Sequence, residues 1–157
     1  MTDAQAIAWL EADPGEVQAS LTDPFEATHQ TVQYMSRLIH ASARQPIVQQ
    51  ATKDACRLFR GGPLYAPAVG LGDKLPAGPV CESIWWYAKH AIQFVHHQKL
   101  LVNWLNRGDE LQLLISPDVL LRMEHPKGDC AVYAALCCAM LECAGIKWEL
   151  VTVAADP

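Results

Sequence analysis

Charge is the first thing in short supply. Only 18% of the 157 residues are Asp, Glu, Lys or Arg, against roughly a quarter in an average protein. Apolar residues make up 51%, which excludes a disordered tail and implies extensive buried or partner-covered surface. Positive charge is scarcer than negative: 12 Lys and Arg against 17 Asp and Glu leave a net charge of −5. A nucleic-acid binder that works by neutralising phosphates is therefore not expected, nor a polybasic lipid-binding surface. The chain has no apolar run of the roughly 18 residues that a membrane span needs. Residues Met1–Glu11 contain no Lys or Arg, so the basic start of a signal peptide is missing. Metal-binding spacings are missing too, with no CxxC and no HExxH. His90, His96 and His97 accordingly read as ordinary, partly exposed histidines rather than zinc ligands. Gly70-Leu71-Gly72-Asp73-Lys74 lacks the further glycine and following helix of a dinucleotide site, and lacks a Walker spacing.

What is present is mostly helical periodicity. A short helix is expected over 3–12, ended by Asp13-Pro14-Gly15. Asp23-Pro24 reads as an N-cap followed by proline at the first helical position. Phe25, Thr28, Val32, Met35 and Ile39 recur at steps of three and four, predicting an amphipathic helix over 24–44. Pro46 breaks it, and Ile47, Ala51, Ala55 and Leu58 predict a second helix over 47–59. Residues 60–79 hold five glycines and four prolines and read as a long irregular connector. A helix over about 80–98 follows, with Ile84, Ala88, Ala91, Ile92 and Val95 as its buried stripe. Trp85, Trp86 and Tyr87 at its start read as core or protein interface. Asn106–Asp109 is a turn, and Leu111, Leu113 and Ile115 form a short extended piece. Ser116-Pro117-Asp118 starts another helix, with Ser116 as its cap. The organisation is one domain: a helical region (1–59), the connector (60–79) and a second part (80–157).

The chain carries six cysteines. Cys137 and Cys138 are adjacent, and with Cys130 and Cys143 they crowd one apolar segment, where a helix cannot orient them all for disulfides. They read as free thiols made in a reducing compartment. Residues 131–144 are almost wholly apolar, predicting a helix buried on most sides, with Gly145 as its C-terminal cap. Ile146, Trp148, Leu150, Thr152 and Ala154 then alternate with other residues, predicting a strand over 146–154. Cys130 thus sits at the first turn of a buried helix packed under a sheet. Unpaired N–H groups and the positive helix end stabilise a thiolate there and can bind an oxyanion. The plain alternative is that Cys130 is one more small buried residue.

Ser116-Pro117-Asp118-Val119-Leu120-Leu121, Gly128-Asp129-Cys130, Ala144-Gly145-Ile146 and the following strand resemble the transglutaminase-like superfamily. The likeness is greatest to the transglutaminase-like proteins of tailed bacteriophages. It covers about half the chain. The resemblance implies an α+β fold: a helix-rich N-terminal part, then the nucleophile helix and first strand of a papain-like core that is incomplete. It matches Cys130 to the nucleophile of a Cys-His-Asp triad. The family includes crosslinkers, thiol peptidases, amidases and inactive structural relatives. Ala131-Val132-Tyr133 follow Cys130 where members often carry acids, and no histidine follows Cys130 at all. A thiol without a positioned base is a poor acyl-transfer catalyst, and His125 upstream has no counterpart in the family pattern.

Two main expectations result. One is a phage virion structural protein of tail, baseplate or neck, made in the host cytoplasm, non-catalytic and free of cofactors. Its partners would be virion proteins or further copies of itself, met through Trp85, Trp86, Tyr87 and the strand 146–154. The other is a cysteine peptidase, amidase or acyltransferase with Cys130 as nucleophile and its His and Asp supplied beyond Pro157. A metal or redox module is the weakest reading, because the cysteine spacings fit no common zinc or iron–sulfur pattern.

Overall fold

The computed structural model describes residues 24–58, 77–95 and 114–151. In chain order these hold α1 (Pro24–Ala43), α2 (Pro46–Leu58), α3 (Ala77–Ala91), β1 (Gln93–Phe94), α4 (Pro117–Leu120), β2 (Lys127–Gly128) and α5 (Cys130–Cys143). The helix expected at 3–12, most of the segment 60–79, His96, His97, the turn at Asn106–Asp109, Leu111, Leu113 and residues 152–154 lie outside the described residues.

The arrangement follows from α5. Its 14 residues include one charged side chain, Glu142 in the last turn. A helix apolar on nearly every side must be covered on nearly every side, and α1, α2, α3 and α4 all pack against it. Val132, Ala135, Leu136, Cys138, Ala139 and Met140 are buried. They meet Met35 and Ile39 of α1, Val48, Ala51 and Ala55 of α2, Val80, Ile84 and Ala88 of α3, and Val119 and Leu120 of α4 in one core. Each large aliphatic side chain buried this way contributes on the order of 1.5–3 kcal/mol. Of the expected stripes, Met35, Ile39, Ala51, Ala55, Ile84, Ala88 and Ile92 are buried and Val32, Ala91 and Val95 half-buried, while the side chains of Phe25 and Leu58 lie outside the described residues. Val48 takes the deepest place on α2 while Ile47 packs at the margin, and Thr28 on α1 is exposed.

Helix ends follow local chemistry. α3 begins at Ala77 rather than 80, because Pro79 falls in the first turn, where its missing N–H removes no helical bond. It stops at Ala91 rather than continuing to 98. The chain leaves the helix because Gln93 and Val95 donate instead to Pro126 and Gly128, at 2.9 and 3.0 Å. This makes a two-residue parallel ladder, with Gln93 opposite Lys127 and Phe94 opposite Gly128. Ser116 occupies the N-cap of α4, but its side chain makes no capping hydrogen bond. Asp118 instead accepts from the buried Ser42 hydroxyl of α1 at 2.8 Å, which ties the short helix to the bundle.

The C-terminal end of α5 is as expected. Gly145 adopts φ 72°, a left-handed conformation that costs glycine little. Its N–H bonds the Glu142 carbonyl at 3.0 Å, and the Ile146 N–H reaches the Leu141 carbonyl at 2.9 Å. This is a Schellman turn. Beyond it, exposure alternates: Ile146, Trp148 and Leu150 pack on the core while Lys147, Glu149 and Val151 face solvent. Such alternation belongs to extended backbone. The strand expected over 146–154 is nevertheless not formed across 146–151, because no described residue pairs with it. Among the described residues the Cys130 helix therefore packs between helices, not beneath a sheet. The fold is α+β in the general sense, mostly helical with one small ladder.

Gly128 generates a test. A Cβ there would stand 2.5 Å from Val132 Cγ1 and 2.7 Å from its Cβ, so α5 must shift to admit one. Gly128→Ala is expected to cost about 1–3 kcal/mol in urea unfolding. Part of that loss should be recovered in the Gly128→Ala/Val132→Ala double variant relative to the summed single effects. Full additivity would show that the two positions do not press on each other.

Candidate functional site

Gly128, Asp129 and Cys130 have three different environments. Gly128 is buried in β2, where only a missing Cβ lets Val132 approach. Asp129 is the N-cap of α5, with φ −89° and ψ −170°. Its carboxylate Oδ1 accepts the Ala131 N–H at 3.0 Å and the Val132 N–H at 3.1 Å. The side chain is buried, and its charge complements the positive helix end. Cys130, the first helical residue, is exposed. Two of the N–H groups at this turn, those of Ala131 and Val132, therefore already serve the Asp129 carboxylate. Packing and capping account for the glycine and the aspartate of the motif. His125 is exposed, and no hydrogen bond or ion pair among the described residues joins it to Cys130.

None of the six cysteines forms a disulfide. Burial pushes Cys137 up to about 11, with a further rise from Cys138 beside it, and burial alone pushes Cys138 up to about 11. Cys143 is raised chiefly by burial, and its Sγ donates to the Ala43 carbonyl at 3.0 Å. These three are core thiols rather than nucleophiles. Among the described residues, no group of three or more His, Cys, Asp and Glu could hold a metal ion.

The aromatic run on α3 divides. Trp85 is 51% exposed and meets Trp86 edge-on at 5.2 Å. Lys89 Nζ lies 4.9 Å from the Trp85 ring and 5.1 Å from the Trp86 ring, within cation–π range. His90 stacks on Trp86 at 5.1 Å and 21°, and its Nδ1 donates to the Trp86 carbonyl at 2.8 Å. Tyr87 was expected on the same interface but turns inward against the core. One residue further round the helix from Trp86 is a different face, and burial followed by the Asp54 charge raises the phenol above its ordinary value.

A second cluster was not anticipated from the sequence. His40 of α1 shares its Nδ1 proton with Glu142 Oε2 at 2.7 Å. Trp148 Nε1 donates to the same oxygen at 3.2 Å, and the His40 and Trp148 rings lie 5.3 Å apart. Alongside is a groove of about 640 Å³, lined by Val32, Ser36 and His40 of α1, by Glu142 and by residues 145–150. His40 and Glu142 are 102 positions apart, so no local pattern pairs them. The one signal was a lone acid in an apolar helix, at a helix end that disfavours negative charge.

The thiol environments predict a reactivity order and a pH dependence. A rise from 9 to about 11 leaves roughly 100-fold less thiolate at pH 8. In the native protein, iodoacetamide should modify exposed Cys81 and Cys130 while Cys137 and Cys138 stay unmodified, and urea should level the difference. The folded state holds these two protons more tightly than the unfolded chain. The stability they contribute is thus complete below pH 9 and lost as pH rises through about 11. Native Cys138 alkylated as fast as Cys130, or unfolding stability flat from pH 8 to 11, would contradict this assignment.

Compared with family models, with curated proteins and with solved structures, the chain matches none.

Proposed function

We propose that this chain is an assembly protein of a tailed-bacteriophage virion, acting by docking to other virion proteins and using a transglutaminase-like, papain-like scaffold without catalysis. The observation that carries the reading is the cluster on α3 of exposed Trp85, Lys89 and His90 around the half-buried Trp86. Large aromatic side chains with an adjacent cation are what protein interfaces use as anchors. The low charge content supports it, and so does the Asp129 carboxylate, which takes two N–H groups of the helix start, those of Ala131 and Val132. The virion context rests on the resemblance of Gly128-Asp129-Cys130 and its surroundings to phage transglutaminase-like proteins. The second reading, a cysteine peptidase or amidase with Cys130 as nucleophile, is favoured by one observation: the thiol is exposed at the N-terminus of a 14-residue helix.

The two readings predict opposite mutant behaviour. Under the assembly reading, Trp85→Ala folds with stability changed by less than about 0.5 kcal/mol yet is missing from purified particles or blocks their completion. Cys130→Ser particles should be normal in number and infectivity. Particles that need the Cys130 thiol, with Trp85→Ala incorporated normally, would overturn the assembly reading in favour of the enzyme.

A further inference from the structure

The segment that leaves the Schellman turn alternates in exposure. Its outward side chains are Lys147, Glu149 and Val151, and its inward ones are Ile146, Trp148 and Leu150. Among the described residues, the backbone groups of 147–151 make no backbone hydrogen bond. An unpaired, alternating segment of this kind is a template for another strand.

The helix cap sets which edge faces the end of α5. In extended backbone, the N–H and C=O groups of successive residues point to opposite edges, so alternate residues share one edge. The Ile146 N–H points at the Leu141 carbonyl, so the edge carrying residues 146, 148 and 150 begins against the end of α5. The edge carrying 147, 149 and 151 faces the other way.

The sequence along that edge is self-complementary. We infer that two copies of this chain associate about a twofold axis through antiparallel pairing of residues 147–149, centred on Trp148. In that register Lys147 stands opposite Glu149 of the second copy, and Glu149 stands opposite its Lys147. Both are hydrogen-bonded pairs, which together supply four backbone hydrogen bonds and two cross-strand ion pairs. Trp148 meets its own counterpart, and Ile146 meets Leu150, in the closer non-hydrogen-bonded positions. Any register shifted by two residues would lose both ion pairs. The contact is isologous and closes at two copies. It stands whether or not the protein belongs to a virion.

The test is sedimentation equilibrium of the full chain across micromolar to 100 micromolar concentrations, with far-UV circular dichroism as a check on folding. The wild type should approach twice 17.3 kDa. Glu149→Lys places like charges opposite each other twice and should weaken the dimer by about tenfold or more. Lys147→Glu should do the same. The exchanged double variant Lys147→Glu/Glu149→Lys restores both pairs and should restore the dimer, which a merely structural effect of either substitution would not do. A wild type that stays monomeric, a dimer indifferent to Glu149→Lys, or an exchanged variant that does not recover would overturn the inference. A dimer lost in Trp85→Ala but kept in Glu149→Lys would move the interface to α3 and also overturn it.

Discussion

Everything in this structure depends on the burial of α5. A helix whose middle is Ala135, Leu136, Cys137, Cys138, Ala139 and Met140 has no face to offer water, so the other helices are arranged around it. α1, α2 and α3 each give it an apolar stripe, and the single turn of α4 closes a further gap. The polar groups drawn in with them are satisfied locally. Thr52 donates to the Val48 carbonyl and Ser83 to the Pro79 carbonyl, each one helical turn back. Ser42 donates to Asp118 across two helices. Unsatisfied, each such group would cost roughly 1–3 kcal/mol.

The two ends of α5 answer that burial differently. At the N-terminus, Asp129 folds its carboxylate over the first N–H groups, and Gly128 lets the helix sit close to β2. At the C-terminus, Gly145 turns the chain back so that Ile146, Trp148 and Leu150 cover the core. Glu142 stands where a negative charge meets the negative helix end, an arrangement offset by donors from His40 and Trp148. The motif that first drew attention to Cys130 is thus, for two of its three residues, a device for starting a tightly packed helix.

The local parts of this plan were legible in the sequence and the distant parts were not. The period of Met35 and Ile39, the proline at the start of α1, the apolar run of α5 and the glycine after it announced their elements through neighbours in the chain. The alternation over 146–151 was legible as well, but a strand needs a partner, and nothing local states whether one exists. The β1–β2 ladder could not be read because Gln93-Phe94 and Lys127-Gly128 are two-residue pieces with no strand pattern. Of the aromatic run read as core or interface, Tyr87 packs on the core while Trp85 is exposed, a division that adjacency in sequence does not show. At the start of α5 the sequence shows both the exposed thiol of Cys130 and the side chain before it, Asp129, that caps the helix.

Native-state hydrogen exchange tests the central claim most directly. If α5 is the element around which the others pack, the amides of Leu136, Ala139 and Met140 should be the slowest in the molecule. Their exchange free energy should equal that of global unfolding measured in urea. Exchange of these amides through a local opening at lower free energy than those of Ile39 in α1 or Ala51 in α2 would contradict the account.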